Sequence, residues 1–206
     1  MAKLPALISV LAEFDPSGKN AVENLSRELR KAGLVTTGKS GVGAPHMTAT
    51  DATNMFFGLV TRLSIEAPQA VKMLREAESV GPWEGKPDPL LDFQNFAFFG
   101  RAIDDDGHIR AGRFVDCILD ELVENGFVRA GPDGEGIFEI QLDIKSPITG
   151  PGEVKVTFLP GMPNEISLAF ACLSSSSKLG IQNGVTIDEF VFNAVADEMR
   201  KGRKPE

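Results

Sequence analysis

The chain has 206 residues, of which 42% are hydrophobic and 24% charged, and its formal net charge is −8. This composition excludes an intrinsically disordered chain, and the length allows one large domain or two small ones. No apolar run reaches the roughly 18–20 residues that span a bilayer, and the first residues lack the cleavage pattern of a signal peptide. We therefore expect a cytoplasmic protein with no membrane partner.

Charge is distributed unevenly along the chain. Residues 1–75 contain nine Lys and Arg against six Asp and Glu, and residues 200–206 contain four against one. Because each of these segments has a net charge of +3, residues 76–199 carry −14. DNA-binding proteins are usually basic, so the acidic middle disfavours nucleic acid, whereas the front segment permits it. The pattern suits a binding head on an acidic body, and equally a solvated acidic surface that maintains solubility.

The first two predicted elements are amphipathic helices joined by a Pro- and Gly-containing turn at residues 15–18. Residues 4–14 place four apolar side chains on one helical face: Leu7, Ile8, Leu11 and Phe14. The second helix, residues 21–32, has a similar apolar stripe: Val22, Leu25, Leu29 and Ala32. Gly33 suits the position that follows the end of this helix.

The face of the second helix opposite its apolar stripe combines two amides with two cations. At about 100° per residue, these side chains fall on one line: Asn20, Asn24, Arg27 and Lys31. Amides and guanidinium groups read base edges, and cations bind phosphates, so this stripe predicts contact with DNA. The alternative is an ordinary solvated face, in which Glu28 pairs with Lys31 at i, i+3 spacing.

A glycine-rich basic segment follows the second helix. Residues 33–40 match the P-loop pattern G-x-x-x-x-G-K-[ST], but a P-loop needs a buried strand before it and a helix after it. Here a charged helix precedes the segment, and Gly and Pro residues follow it. We therefore predict two short strands between Val35 and Met47 that form a basic wing. Its candidate DNA contacts are Thr36, Thr37, Lys39, Ser40 and His46. For His46, a role in locking the hairpin is an equal alternative.

The remainder of the front half is predicted to be helical. Thr48 and Asp51 have the spacing of a capping box, with Asp in place of the usual Glu. Apolar periodicity predicts helices over residues 50–63 and 68–79. Three prolines and two glycines between residues 81 and 89 interrupt regular structure and mark a domain boundary.

This boundary divides the chain into a predicted head of residues 1–80 and a predicted body of residues 88–206. In the body, apolar patterns predict helices over 90–103, 109–125 and 186–200. Alternating residues predict antiparallel strands over 137–144, 153–158 and 165–171. The last helix is expected to bury Phe190, Val191, Ala194, Val195 and Met199. The predicted fold class is α+β with a small antiparallel sheet.

Residue types that carry catalysis or bind metals are scarce and scattered. The two histidines lie in predicted turns, and the two isolated cysteines, Cys117 and Cys172, are expected to be reduced core thiols. Residues 104–107 lack the flanking ligands of an EF-hand loop and predict a solvated turn that caps the next helix. We therefore expect no enzymatic activity, no metal and no cofactor.

The order helix, turn, helix, glycine-rich wing and capped helix resembles the N-terminal head of MerR-type winged helix-turn-helix regulators, over roughly residues 5–65. The matching residues are Leu25, Leu29, Gly33, Leu34, the wing over 36–46 and the helix start over 47–52. The Ala-Gly-Leu-Val run before the wing is also similar to MarR-type proteins. In such families the second helix enters the major groove and the wing contacts the DNA backbone. The resemblance implies these roles for the stripe and the wing, although the Arg- and Tyr-rich helix, long dimerisation helix and sensing cysteines of MerR-type proteins are missing.

These features together predict a sequence-specific DNA-binding transcriptional regulator, with double-stranded DNA as its partner. The general style of the chain, rather than any particular residue, suggests a regulator of the phage or mobile-element type. One short recognition helix provides little specificity, so we expect a homodimer. The alternative is an acidic protein-interaction module that binds a partner or mimics DNA without binding DNA itself.

Overall fold

The computed structural model describes residues 3–38, 45–80, 94, 96–130, 135–137, 139–148, 151–159, 166–172 and 184–201. These residues form an α+β structure, as the sequence predicted. The helices are α1 (Leu4–Phe14), α2 (Gly18–Lys31), α3 (Ala49–Leu59), α4 (Ala67–Arg75), α5 (Phe99–Ala102), α6 (Ala111–Asn125) and α7 (Glu189–Arg200), with a 3₁₀ turn at Ser64–Glu66. The strands are β1 (Glu78–Ser79), β2 (Val128–Ala130), β3 (Glu135–Ile137), β4 (Ile140–Lys145), β5 (Glu153–Phe158), β6 (Ile166–Ala171) and β7 (Gly184–Ile187).

Five of these strands form one antiparallel sheet with the order β1-β6-β5-β4-β7. Strand β4 is paired on both sides: its Leu142 lies opposite Val156 of β5 on one side and Ile187 of β7 on the other. Strands β2 and β3 pair separately as a hairpin. The sequence predicted β5 and β6 to within one residue, but it did not predict β7.

Alternation along the strands gives the sheet one apolar face. Leu142 and Ile144 of β4 are buried, whereas Gln141 and Asp143, which alternate with them, are partly exposed. The carboxylate of Asp143 accepts hydrogen bonds on that polar face from the Gln141 side chain at 2.9 Å and the Thr186 hydroxyl at 2.7 Å. This is the pattern of an antiparallel sheet with one face packed and one face solvated.

Helices from both predicted halves contribute to one hydrophobic core. Helix α1 packs against α7, and α3 packs against α6. The fully buried rings of Phe56 on α3 and Phe192 on α7 meet edge to face, with their centroids 5.2 Å apart. Buried side chains from Leu7 to Met199 belong to the same cluster. The predicted head and body therefore share a core, while the predicted boundary at residues 81–89 lies outside the described residues.

A second aromatic group joins the middle of the chain to this core. The ring of Phe98, just before α5, lies 5.2 Å from that of Phe114 on α6, and the Phe114 ring lies 5.4 Å from that of Phe170 on β6. The sequence predicted a buried helix over residues 90–103. In the described part of that range, only α5 is helical, and Phe98 is buried by packing between α6 and the sheet.

Three large side chains that the sequence assigned to buried faces are exposed: Phe14 by 44%, Leu63 by 55% and Phe190 by 67%. Leu63 lies outside because α3 ends at Leu59, four residues earlier than predicted. Phe190 lies outside because Asp188 caps α7 through the Val191 amide, so the helix begins at Glu189 and Phe192 takes the core position. Ala32, assigned to the apolar stripe of the second helix, is also exposed because α2 ends at Lys31.

Candidate nucleic-acid interface

Helix α2 is strongly amphipathic, and its apolar face is packed tightly. Val22, Leu25 and Leu29 are buried, as predicted, and the helix contacts α1, α3 and α4. Gly58 of α3 permits this approach, because a Cβ at that position would lie only 2.6 Å from a methyl carbon of Leu25. The packing holds the opposite face of α2 toward solvent.

The predicted stripe of amides and cations lies on that solvent-facing side. All four of its members are exposed: Asn20, Asn24, Arg27 and Lys31. The Arg27 guanidinium donates a long hydrogen bond of 3.4 Å to the side-chain oxygen Oδ1 of Asn24. Lys31 pairs with Glu28 at 2.6 Å, which is the predicted i, i+3 pair, and its side chain remains 62% exposed. Exposed pairs of this kind contribute only about 0–1 kcal/mol, so a phosphate can displace them at little cost.

A shallow groove of about 330 Å³ runs between α2 and the first half of α1. Its α2 side carries three cations, Lys19, Arg27 and Arg30, and one carboxylate, Glu23. Its α1 side is formed by residues 4, 5, 8 and 9. Within the described residues, Arg27 and Arg30 form no ion pair, and Lys19 lies 4.0 Å from Glu23. The sequence reading missed Lys19 and Arg30. Both lie on the polar side of α2, next to the predicted stripe. Considering the whole polar face of the helix, and not one line of residues, would have identified them.

The segment after α2 is organised by one buried carboxylate. Asp51, 3% exposed, accepts hydrogen bonds from the Thr36 amide at 2.7 Å and the Thr36 hydroxyl at 2.9 Å. It also accepts from the Thr48 amide at 2.8 Å and the Thr48 hydroxyl at 3.0 Å. The predicted capping box is therefore confirmed. The same carboxylate holds residues 36 and 48 together at the base of the connecting loop.

The predicted wing strands are not found in the part of this loop that the structure describes, since residues 34–38 and 45–48 form no strand. Side-chain bonds to Asp51 connect the two described ends of the loop. Thr36, Thr37 and His46 are all exposed, but Thr36 is also bonded to Asp51, which gives it a role in anchoring the loop. The predicted contacts Lys39 and Ser40 lie outside the described residues.

A chain of polar contacts connects this loop to the middle of the molecule. The side-chain amide of Asn54, 2% exposed, donates to the Leu34 carbonyl, and its oxygen accepts from Arg75 at 3.0 Å. Arg75 also forms an ion pair with Asp116 of α6 at 2.7 Å. Gly112 leaves space for this arginine, because a Cβ there would lie 2.9 Å from the Arg75 side chain. The start of the loop is thereby tied to α3, α4 and α6.

The two cysteines were expected to be reduced core thiols. Cys117 and Cys172 are free thiols, and burial raises the pKa of Cys117 to about 11, which keeps it protonated near neutral pH. Among the residues that the structure describes, no cluster of His, Cys, Asp and Glu is arranged to hold a metal ion. Over the same residues, no helix has the length and apolar character needed to cross a bilayer.

The acidic turn at residues 104–107 is closed by its own first side chain. The Asp104 carboxylate accepts from the His108 amide at 2.8 Å and the Asp106 amide at 3.0 Å. The His108 bond is the main reason that the pKa of Asp104 is lowered, and Arg110, whose guanidinium lies 3.0 Å away, adds to it. The turn was predicted to cap the next helix. Instead, Arg110 occupies the N-cap position of α6 and makes no side-chain capping bond.

Comparisons with protein-family models, with curated proteins and with solved structures gave no match for this chain.

Proposed function

We propose that the polar face of α2 binds double-stranded DNA and that the protein is a sequence-specific transcriptional regulator. The observation that carries the proposal is the solvent exposure of Asn20, Asn24, Arg27 and Lys31 along one side of a firmly packed helix. A DNA-reading helix needs rigid support behind it and exposed polar side chains in front. Helix α2 has both, and the cations of the neighbouring groove extend its positive surface.

The residues of α2 divide by chemistry into two roles. Arg27 suits a bidentate contact with guanine, and Asn20 or Asn24 suits one with adenine, because each offers the matching pattern of donors and acceptors. Lys19, Arg30 and Lys31 suit phosphate contacts, which position a protein on DNA without selecting sequence. This division predicts that Arg27 affects specificity, while the other cations affect affinity for every sequence.

We further propose that the loop after α2 contacts the DNA backbone beside the helix, as a wing does in winged helix-turn-helix proteins. Its support is the Asp51 clamp, which fixes both ends of the loop next to the C-terminal end of α2. Thr37 and His46 are exposed at those ends. In this proposal Lys39 and Ser40 supply the phosphate contacts. Two copies of the chain then read two half-sites, because one short helix selects too few base pairs.

The test has two steps. The 206-residue chain first selects the duplexes that it binds from a pool of random sequence, and its affinity for a selected, labelled duplex is then measured by titration. Arg27→Ala should weaken binding to the selected sequence about tenfold, in line with about 1–3 kcal/mol for a bidentate base contact. Lys145→Ala is the matched control, since Lys145 is an exposed cation on the sheet, paired with Glu153 at 2.7 Å. Equal affinity of the wild type and Arg27→Ala for DNA, or equal losses in the two variants, would contradict the proposal.

A further inference from the structure

The two edges of the five-stranded sheet are treated differently by the fold. At the β1 edge, the chain segment before α6 covers the strand: the Ser79 amide donates to the Ile109 carbonyl at 3.1 Å, and the Ala111 amide donates to the Ala77 carbonyl at 2.9 Å. At the other edge, β7 pairs with β4 only, within the part of the chain that the structure describes. An uncovered edge strand presents backbone donors and acceptors that another strand can use.

The register identifies which backbone groups of β7 point outward. The Leu159 amide donates to the Glu139 carbonyl, so residues 139, 141, 143 and 145 bond toward β5. Antiparallel ladders alternate, so residues 142 and 144 bond toward β7, where they face Ile187 and Val185. The N–H and C=O groups of Gly184 and Thr186 are then directed away from β4. No backbone partner for them is found among the described residues.

An apolar groove of about 330 Å³ lies along this edge, between β7, the end of α1 and the first turn of α7. Leu11, Leu59 and Val191 are among its lining residues. Phe14, which also lines it, is 44% exposed, and Phe190, in the first turn of α7, is 67% exposed. A strand added to β7 would place alternate side chains against this apolar groove and the others on the polar face that carries Asp143 and Thr186.

Charge distinguishes between the possible strands. The groove is lined by two carboxylates, Asp15 and Asp188, and its described lining contains no Lys or Arg. A second copy of β7 would bring the same two carboxylates to the same edge, where like charges repel. A strand that turns a basic side chain toward the groove would meet opposite charge there.

We propose that the β7 edge is a docking site for an extended peptide segment of a partner protein, which turns both apolar and basic side chains toward the groove. The segment pairs antiparallel or parallel with β7 through Gly184 and Thr186, and its apolar side chains enter the groove beside Phe14. This site is separate from the α2 surface, and its existence does not depend on DNA binding.

The first experiment uses the wild-type chain and a labelled synthetic Lys-Val peptide. In it, Lys and Val take turns at every second position with Thr between them, so that both can face the groove. We expect saturable binding, together with slower hydrogen exchange of the Thr186 amide. The same peptide with alternate backbone amides methylated lacks the ladder donors, and a Glu-Val peptide lacks the positive charge; both should bind at least about tenfold more weakly. No binding of the Lys-Val peptide, or equal binding of the methylated peptide, would overturn the proposal.

The second experiment changes the edge itself. Thr186→Pro removes an N–H that points away from β4, so it spares the ladder within the sheet and should weaken peptide binding about tenfold. Thr186→Val is the control: it loses the hydroxyl bond to Asp143 but keeps the backbone amide, and binding should be retained. Asp188→Asn retains the capping oxygen of α7 and removes the charge, so it should weaken binding of the Lys-Val peptide. If the wild type were a dimer and Thr186→Pro a monomer, the edge would be a self-association surface. That outcome would refute the proposal of a peptide partner.

Discussion

Helix α2 and strand β7 expose two different kinds of recognition surface on the same core. The backbone groups of a helix are bonded within it, so a partner of α2 meets side chains alone, among them exposed amides and cations. An edge strand exposes its backbone, so a partner of β7 can be held by hydrogen bonds that are independent of its sequence. Binding at α2 is therefore expected to depend on charge and salt, whereas binding at β7 depends on extended conformation.

Helix α1 borders both surfaces. Its first half lines the cationic groove with α2, and its last turn lines the apolar groove along β7. The two surfaces thus have separate partners in our proposals but a common structural support. A change in the shared core should affect both surfaces, whereas a change at one surface should leave binding at the other unaltered.

The largest effect is expected from the shared core. Phe192→Ala removes a fully buried ring that packs against Phe56, and it should lower the free energy of unfolding by about 3–5 kcal/mol. Urea denaturation combined with hydrogen exchange should show α2 and β7 losing protection in one transition. Phe190→Ala, two residues earlier and exposed, is the matched control, with a change of about 0.5 kcal/mol or less. Protection of α2 that outlasts that of β7 would show that the predicted head and body unfold separately.

A smaller effect, confined to one surface, is expected at the loop base. Asp51→Ala removes the acceptor of four hydrogen bonds from Thr36 and Thr48 and should cost about 2–3 kcal/mol of unfolding free energy. It should weaken DNA binding through the loop and leave peptide binding at β7 unchanged under conditions where the variant is folded. Asp51→Asn keeps one acceptor oxygen, so its free energy of unfolding and its DNA affinity should lie between those of the wild type and Asp51→Ala. Equal weakening of DNA binding and of peptide binding would contradict the independence of the two surfaces.

The smallest effect is expected from a single phosphate contact. Lys39→Ala should weaken binding to all DNA sequences alike and flatten the dependence of log affinity on log salt by about one unit. Binding of the Lys-Val peptide at β7 should not change. DNA titrations at several salt concentrations measure the slope, with Lys145→Ala as the control for DNA binding. A loss of sequence preference in Lys39→Ala, with an unchanged salt slope, would place Lys39 at base edges and contradict its role as a phosphate contact.

Local pattern predicted the candidate site better than it predicted the connections around it. The spacing of Val22, Leu25 and Leu29 was sufficient to orient α2, because helical geometry converts spacing directly into a face. The role of Asp51 was predicted only in part. Its capping bond to Thr48 is local, whereas its bonds to Thr36 span 15 residues, and no sequence period encodes such a contact.

The periodicity of the chain determined the α+β class, the amphipathic helices α1 and α2, the capping box of α3 and the strands β5 and β6. Each of these follows from contacts between residues that are close in sequence. Tertiary structure alone decided that the short segment 184–187 pairs with β4, about 40 residues earlier, and that Phe14 lines a groove along β7. It also decided that Phe190 is exposed and that both predicted halves share one core. These outcomes depend on long-range packing, in which the burial of one element is set by whichever distant element covers it.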